Sequence, residues 1–206
     1  MSWISKPLDE DRAREIAREL NLSRITSILV SRLSITETRQ LKRFLEPKLT
    51  HLHNPFQIPN LEAAVVRLIR AVQEKERVFV IGDYDVDGVT STSLLVGILR
   101  ELFLDPGFSV PKRSDEGYGF SLGLVNENIL LPDLDYDLVV AVDCGSNDHE
   151  TIEVLRENGI DVVVIDHHQM RCEPHEAAIV VNPHLSPVEE DPAKQLCSVA
   201  LTFKLM

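Results

Sequence analysis

Three aspartates alternate in the stretch GDYDVDGVTS, at Asp83, Asp85 and Asp87. In an extended chain that spacing turns all three carboxylates to one side. Like charges 4 Å apart repel by roughly 4 kcal/mol per pair at an effective dielectric of about 20. Such crowding persists only where protons or cations neutralise it. Asp143 follows the apolar run LVVAV, and Asp166, His167 and His168 follow DVVVI. Carboxylates joined by one neutral imidazole from His167 make an oxygen-rich ligand set that suits Mn²⁺ or Mg²⁺, and Zn²⁺ less well. Gly88 allows a tight turn into a following helix, whose first N–H groups at Val89 and Thr90 could face a phosphate.

Each feature has a plainer reading on its own. An isolated D-x-D-x-D is as often a solvated loop, a single aspartate after a strand is commonly a turn former, and a histidine pair is often structural. A calcium loop of the EF-hand type is excluded, because its closing glutamate would fall at Leu94 and an apolar strand precedes the motif. Three polar clusters at three strand ends together point to a ligand crevice, since in open α/β sheets the crevice lies outside the carboxyl ends of the strands.

The elements that must hold these residues follow from periodicity. Residues 1–60 read as a helical N-terminal segment, with helices over Leu8–Leu20, Leu22–Leu33 and Thr38–Leu45, the last started by a capping box at Ser34–Glu37. A Pro-containing connector over His51–Pro59 leads to an amphipathic helix at Leu61–Lys75. Residues 61–206 then alternate strands (RVFVIGD, Phe108–Val110, LVVAV, DVVVI, AAIVV) with helices over Val89–Phe103 and Asp148–Asn158, the latter capped by Asn147 with Glu150. Continuous apolar strands alternating with helices predict an α/β fold with a parallel β-sheet flanked by helices. The final SVALTFKLM begins a helix without a terminal cap, so the chain is expected to be part of something longer.

The 206 residues carry a net charge of −12, and 44% are hydrophobic, a globular balance that excludes a disordered tail or fibre. Residues 1–60 hold 10 basic and 7 acidic side chains, against 11 and 26 in the remainder. So acidic a body argues against sequence-blind coating of DNA, which needs many Lys and Arg contacts, but not against a nucleic-acid enzyme whose cations are bound metals. Cys144, Cys172 and Cys197 have no C-x-x-C spacing, so reduced thiols are expected rather than a disulfide framework or zinc ribbon. No apolar run is long enough to span a membrane and no secretory signal opens the chain, so a cytoplasmic location is expected.

The segments GDYDVDGVTST, VDCGSND and VIDHHQ resemble motifs I, II and III of the DHH phosphoesterase superfamily. The stretch VPKRSDEGYGFS and the helical opening narrow the resemblance to the RecJ-type single-strand-specific 5′→3′ exonucleases. The resemblance implies hydrolysis of single-stranded DNA in repair and recombination, with two Mn²⁺ or Mg²⁺ ions. Asp85, Asp87, Asp143 and His167 match metal ligands, with Asp143 as the bridge. Asp83 matches a catalytic acid that is either a ligand or a partner of one, and His168 a catalytic histidine near the scissile phosphate. Arg113, Tyr118 and Gly119 match the substrate-side loop. A single-strand-binding protein or helicase is the partner implied. The family's fourth aspartate and its further domains have no counterpart here, Asp191 being the last acid, so activity of the chain alone is in question. The alternatives are a DHH phosphoesterase of short oligonucleotides or nucleotides and a catalytically silent DHH scaffold. Retention of every motif I–III acid and both histidines counts against the latter.

Overall fold

The computed structural model describes residues 7–111 and 119–206. Chain contacts divide the molecule between His53 and Asn54 into two compact units, earlier than the boundary at residue 60 that composition suggests. The difference lies in the connector, where Ile58 is buried in the same core as Leu61.

In the first unit, helices α1 (Glu10–Leu20), α2 (Arg24–Val30) and α3 (Thr38–Leu45) close around Ile16, Val30 and Leu41. Asp9 caps α1 by accepting from Arg12 N at 2.8 Å, and Ser23 caps α2 by accepting from Thr26 N at 3.1 Å. The capping box expected at Ser34 does not form. Glu37 stands at the N-cap of α3 and makes no side-chain cap bond.

In the second unit, α4 (Leu61–Glu74) precedes β1 (Val78–Gly82), α5 (Val86–Glu101), β2 (Gly107–Ser109), α6 (Leu122–Asn128), β3 (Leu138–Val142), α7 (His149–Glu157), β4 (Asp161–Ile165), β5 (Ala178–Val181) and α8 (Ser198–Leu205). The strands pair in parallel in the order β2-β1-β3-β4-β5. This is the α/β architecture that the apolar runs predict. Both sheet faces are covered: Val80, Val140 and Val163 pack with Leu68, Leu95 and Leu201 from α4, α5 and α8. Ile81, Ala141 and Val164 pack on the other face with Leu124, Ile152 and Leu155 from α6 and α7. Because every side chain of β1 and β3 is buried, these strands read as unbroken apolar runs rather than alternating ones.

The strand order places a topological switch between β1 and β3, since the chain leaves β1 towards β2 and returns on the other side as β3. The register then brings Gly82, Val142, Ile165 and Val181 side by side. One residue further along, Asp83, Asp143, Asp166 and Asn182 leave the sheet as a single polar row.

Opposite that row, Arg67 is buried and binds Glu76 Oε2 and Asp161 Oδ2, each at 2.6 Å, tying α4 to the start of β4. Arg67→Met leaves the buried Glu76 carboxylate with only the half-exposed Arg70, whose Nε and Nη2 both lie 3.0 Å from Oε1 and leave Oε2 unanswered. Breaking a buried pair from one side costs about 3–5 kcal/mol. Chemical denaturation is expected to show a loss near the lower end of that range, and an unchanged midpoint would contradict the role given to this pair.

Candidate metal centre

The triad of motif I is not extended. Asp83 leaves β1, Asp85 caps α5 by accepting from Gly88 N at 3.0 Å, and Asp87 lies in the first turn of that helix. The helix therefore starts at Val86 and not at Val89, because the Asp85 cap captures an N–H that the sequence reading left in a turn. The fold is tight here: a Cβ added to Gly88 would overlap the Asp83 backbone, and one added to Gly82 would overlap the Thr92 side chain. Glycine at residue 88 is what lets Asp83 lie against the helix start.

Asp143 adopts a left-handed backbone, φ 63°, which non-glycine residues other than Asn and Asp seldom take. Its N–H donates to Ile165 O at 2.9 Å, and its side chain is almost wholly buried. Burial, opposed by the neighbouring Ser198 hydroxyl and reinforced by the negative charges of Asp87 and Asp85, pushes its carboxyl up to about 7. Beside it, burial and the surrounding carboxylates hold Cys144 protonated, so that no thiolate joins the site.

After β4, the buried Asp166 organises its neighbours. Burial pushes its carboxyl up, but bonds from the His168 ring at 2.7 Å, from the N–H groups of His167 and His168, and from Ser146 N hold it at about 2. The same pairing raises His168 to about 9, making it an imidazolium. Asn182 donates to Ser146 Oγ and to His168 O, each at 2.9 Å, and locks the loop. His167 Nε2 lies 3.4 Å from Asp143 Oδ1 and 3.6 Å from Asp87 Oδ2.

Among the described residues, two sets of ligand atoms converge within 4.8 Å: Asp83, Asp85 and Asp143, and Asp143, His167 and His168. Asp143 is common to both. Asp83 Oδ1 and Asp143 Oδ1 are buried with no hydrogen-bond partner, a costly arrangement that a divalent cation would relieve. The donor set, carboxylate oxygens with imidazole nitrogen, fits Mn²⁺ or Mg²⁺.

The expected ligand Asp87 is in neither set, although its Oδ2 lies 3.6 Å from His167 Nε2. Its Oδ2 accepts from Ser198 N at 2.7 Å and its Oδ1 from Val199 N at 2.8 Å, so both oxygens serve the first turn of α8. Asp83, which the resemblance implies is a ligand or a partner of one, lies in the first set. Gly119, with φ 64°, approaches Cys144 so closely that an added Cβ would lie 3.0 Å from the cysteine Cβ. Arg113 and Tyr118 lie outside the described residues. Sequence reasoning overlooked the parts played by Asp166, Asn182 and Ser198. The signal for the first two was present, since each directly follows an apolar strand, as Asp83 and Asp143 do. Ser198 had none, because its place depends on how α8 meets α5.

Fold and site together define an α/β protein with a carboxylate–imidazole cation centre at the switch point of a parallel sheet. Residues 77–206 match the model of the DHH family, N-terminal domain, and the chain belongs to that family. The single-stranded-DNA-specific exonuclease RecJ of Haemophilus influenzae is 37% identical over 173 residues, covering 84% of this chain and 29% of that protein. The RecJ of Bacillus subtilis is 29% identical over 207 residues, covering all of this chain and 26% of the relative. The chain thus spans between a quarter and a third of the length of these relatives. A crystal structure of exonuclease RecJ bound to manganese aligns with a TM-score of 0.63 at 36% identity, over 72% of this chain and 36% of the other. RecJ from Thermus thermophilus in complex with Mn²⁺ aligns at 0.69 and 28% identity, over 95% of this chain and 26% of the other.

Proposed function

We propose that this chain carries the metal-binding part of a single-strand-specific DNA exonuclease, one that hydrolyses phosphodiesters 5′→3′ in DNA repair and recombination. The observation that carries the reading is the pair of partnerless buried oxygens, Asp83 Oδ1 and Asp143 Oδ1, the latter 3.4 Å from His167 Nε2. Asp83, Asp85, Asp143 and His167 would hold Mn²⁺ or Mg²⁺, Asp143 being common to both ligand sets. When bound, such ions lower the pKa of a water molecule and offset charge on the attacked phosphate.

The chain's own residues supply the rest. Asp166 keeps His168 charged and fixes its ring, so an imidazolium faces the scissile phosphate. Asp87, 3.6 Å from His167 Nε2, would complete the ligand set from the helix end that it also ties to α8. Arg113, Tyr118 and Gly119 form the substrate side, where a guanidinium grips phosphate in a bidentate manner. With a net charge of −12, the chain repels a DNA backbone, and cations in the centre would offset that repulsion locally. The protein works in the cytoplasm, with a single-strand-binding protein or helicase as its partner. No helix among the described residues is long and apolar enough to cross a membrane.

Two measurements test the reading. Calorimetric titration with Mn²⁺ should show saturable binding in the micromolar range, which a silent scaffold would lack. A panel of single-stranded, duplex and very short DNA then separates the substrates. Preference for long single strands supports the exonuclease, while preference for dinucleotides or mononucleotides would replace it with a small-substrate phosphoesterase.

A further inference from the structure

Residues 21–53 hold six basic and two acidic side chains, in a chain whose net charge is −12. Three of the six, Arg39, Lys42 and Arg43, are exposed on α3. Residues three and four apart share one side of a helix, so these cations form a single face, opposite the buried Leu41. The arginines of α1 are answered, Arg12 by Glu15 at 3.0 Å and Arg14 by Asp11 at 3.1 Å. Among the described residues, no acid pairs with Arg39, Lys42 or Arg43. Helix stability does not explain the face. Lys42 and Arg43 suit the last turn of α3, but Arg39 stands in the first turn, where a cation opposes the helix dipole and no acid is present. Arg39 and Arg43, four residues apart, also repel one another. Next in the chain, Phe44 is 58% exposed, so an aromatic ring stands open beside unanswered positive charge.

We propose that this face of α3 is a binding site for single-stranded DNA that works without metal. Arg39, Lys42 and Arg43 bind phosphates of the strand, and Phe44 stacks on an unpaired base. Basic groups that track a backbone, with an aromatic ring for the bases, are how single strands are held. A duplex would satisfy the cations and leave the ring without a partner, because its bases are already stacked. The choice of single-stranded DNA as occupant rests on the exonuclease reading above. The face itself belongs to the first compact unit, whereas the cation ligands belong to the second.

The test reads fluorescence anisotropy of a labelled oligothymidylate in EDTA, over a range of salt, for the parent chain and three variants. Arg39→Gln/Lys42→Gln/Arg43→Gln removes the cations of the face. Arg14→Gln/Arg100→Gln/Arg156→Gln removes the same charge from exposed arginines that are ion-paired. Phe44→Ala removes the ring. The parent is expected to bind at low salt. Each phosphate contact contributes about 0.7 to the slope of log affinity against log salt, so the α3 triple variant loses about 2 from that slope. The paired-arginine triple keeps the parental slope. Phe44→Ala weakens binding of the single strand by about 5–100-fold and leaves binding of a duplex unchanged. Mn²⁺ titration of the α3 variants is expected to match the parent. A parent that binds no oligothymidylate in EDTA, or equal losses in the two triple variants, overturns the proposal and leaves the cation centre standing. Equal binding of duplex and single strand, indifferent to Phe44→Ala, also overturns it. Strand binding lost only in the α3 variants, from a chain that takes up no Mn²⁺, would uphold this site and remove the exonuclease reading.

Discussion

Asp143→Asn is expected to weaken Mn²⁺ binding by more than about 100-fold, because it removes a ligand itself where loss of an outer partner already costs about 10–100-fold. The same variant should make the metal-free protein more stable. Asparagine accepts the left-handed backbone at φ 63°, so no strain is added. It also removes a carboxylate that burial and its neighbours push up to about 7. A group with a raised folded value loses stability as pH climbs from the ordinary carboxylate range through that value, so the parent bears the full burden above about pH 7 and the variant bears none. Each unit of such a shift is worth about 1.4 kcal/mol. A net gain of about 1 kcal/mol at about pH 7.5 would raise the melting temperature by roughly 2–4 °C. Loss of binding with a stabilised apoprotein marks a residue kept for function. Loss of binding together with a fall in metal-free stability would instead make Asp143 structural.

The second large effect belongs to Gly88. In Gly88→Ala, the new Cβ would lie 2.5 Å from Asp83 N and closer still to Asp83 O. Backbone cannot yield as a flexible side chain does, so Asp83 must leave the cluster. Overpacking of this kind costs about 1–3 kcal/mol, occasionally more. Thermal unfolding should show that loss, and Mn²⁺ titration a drop in affinity of more than about tenfold, comparable to the loss of a ligand's support. Gly97→Ala is the matched control in the same helix. Nothing lies within 4 Å of its added Cβ, so replacing an exposed helical glycine should stabilise by about 0.5–1 kcal/mol. Equal and small effects at residues 88 and 97 would show that the Asp83 loop adapts freely, against the tight fit described here.

The sheet was legible because its signal is local and strong. LVVAV and DVVVI are buried on both faces, so their apolar runs are unbroken and their ends sharply marked by acids. Helix boundaries were less legible where a side chain decides them. Asp85 moved the start of α5 to Val86, and Asp148 replaced Asn147 as the N-cap of α7 because the Asn147 side chain instead bonds Gln169 O and Arg171 N. The helix at Leu122–Asn128 was missed, since its short segment LGLVNEN is interrupted by glycine and asparagine and carries little periodicity.

At the site, spacing revealed which residues converge but not which way each carboxylate faces. An alternating triad predicts three equivalent aspartates. The backbone makes them unequal, and Asp87 ends up bonded to the first turn of a helix 111 residues away in sequence. That partnership arises from the packing of α8 on α5, and no window of sequence around Asp87 contains it. Asp166 was visible as part of a strand-end cluster, yet its task of fixing His168 emerged only from the donors gathered around it.

Crystals of the chain soaked in Mn²⁺, with anomalous difference density recorded at the manganese absorption edge, test the central claim most directly. Density within coordinating distance of Asp83, Asp85, Asp143 and His167, with Asp143 touching each site found, is the expected result. Manganese bound elsewhere on the acidic surface, or held by Asp87 with Asp143 left aside, would contradict the account.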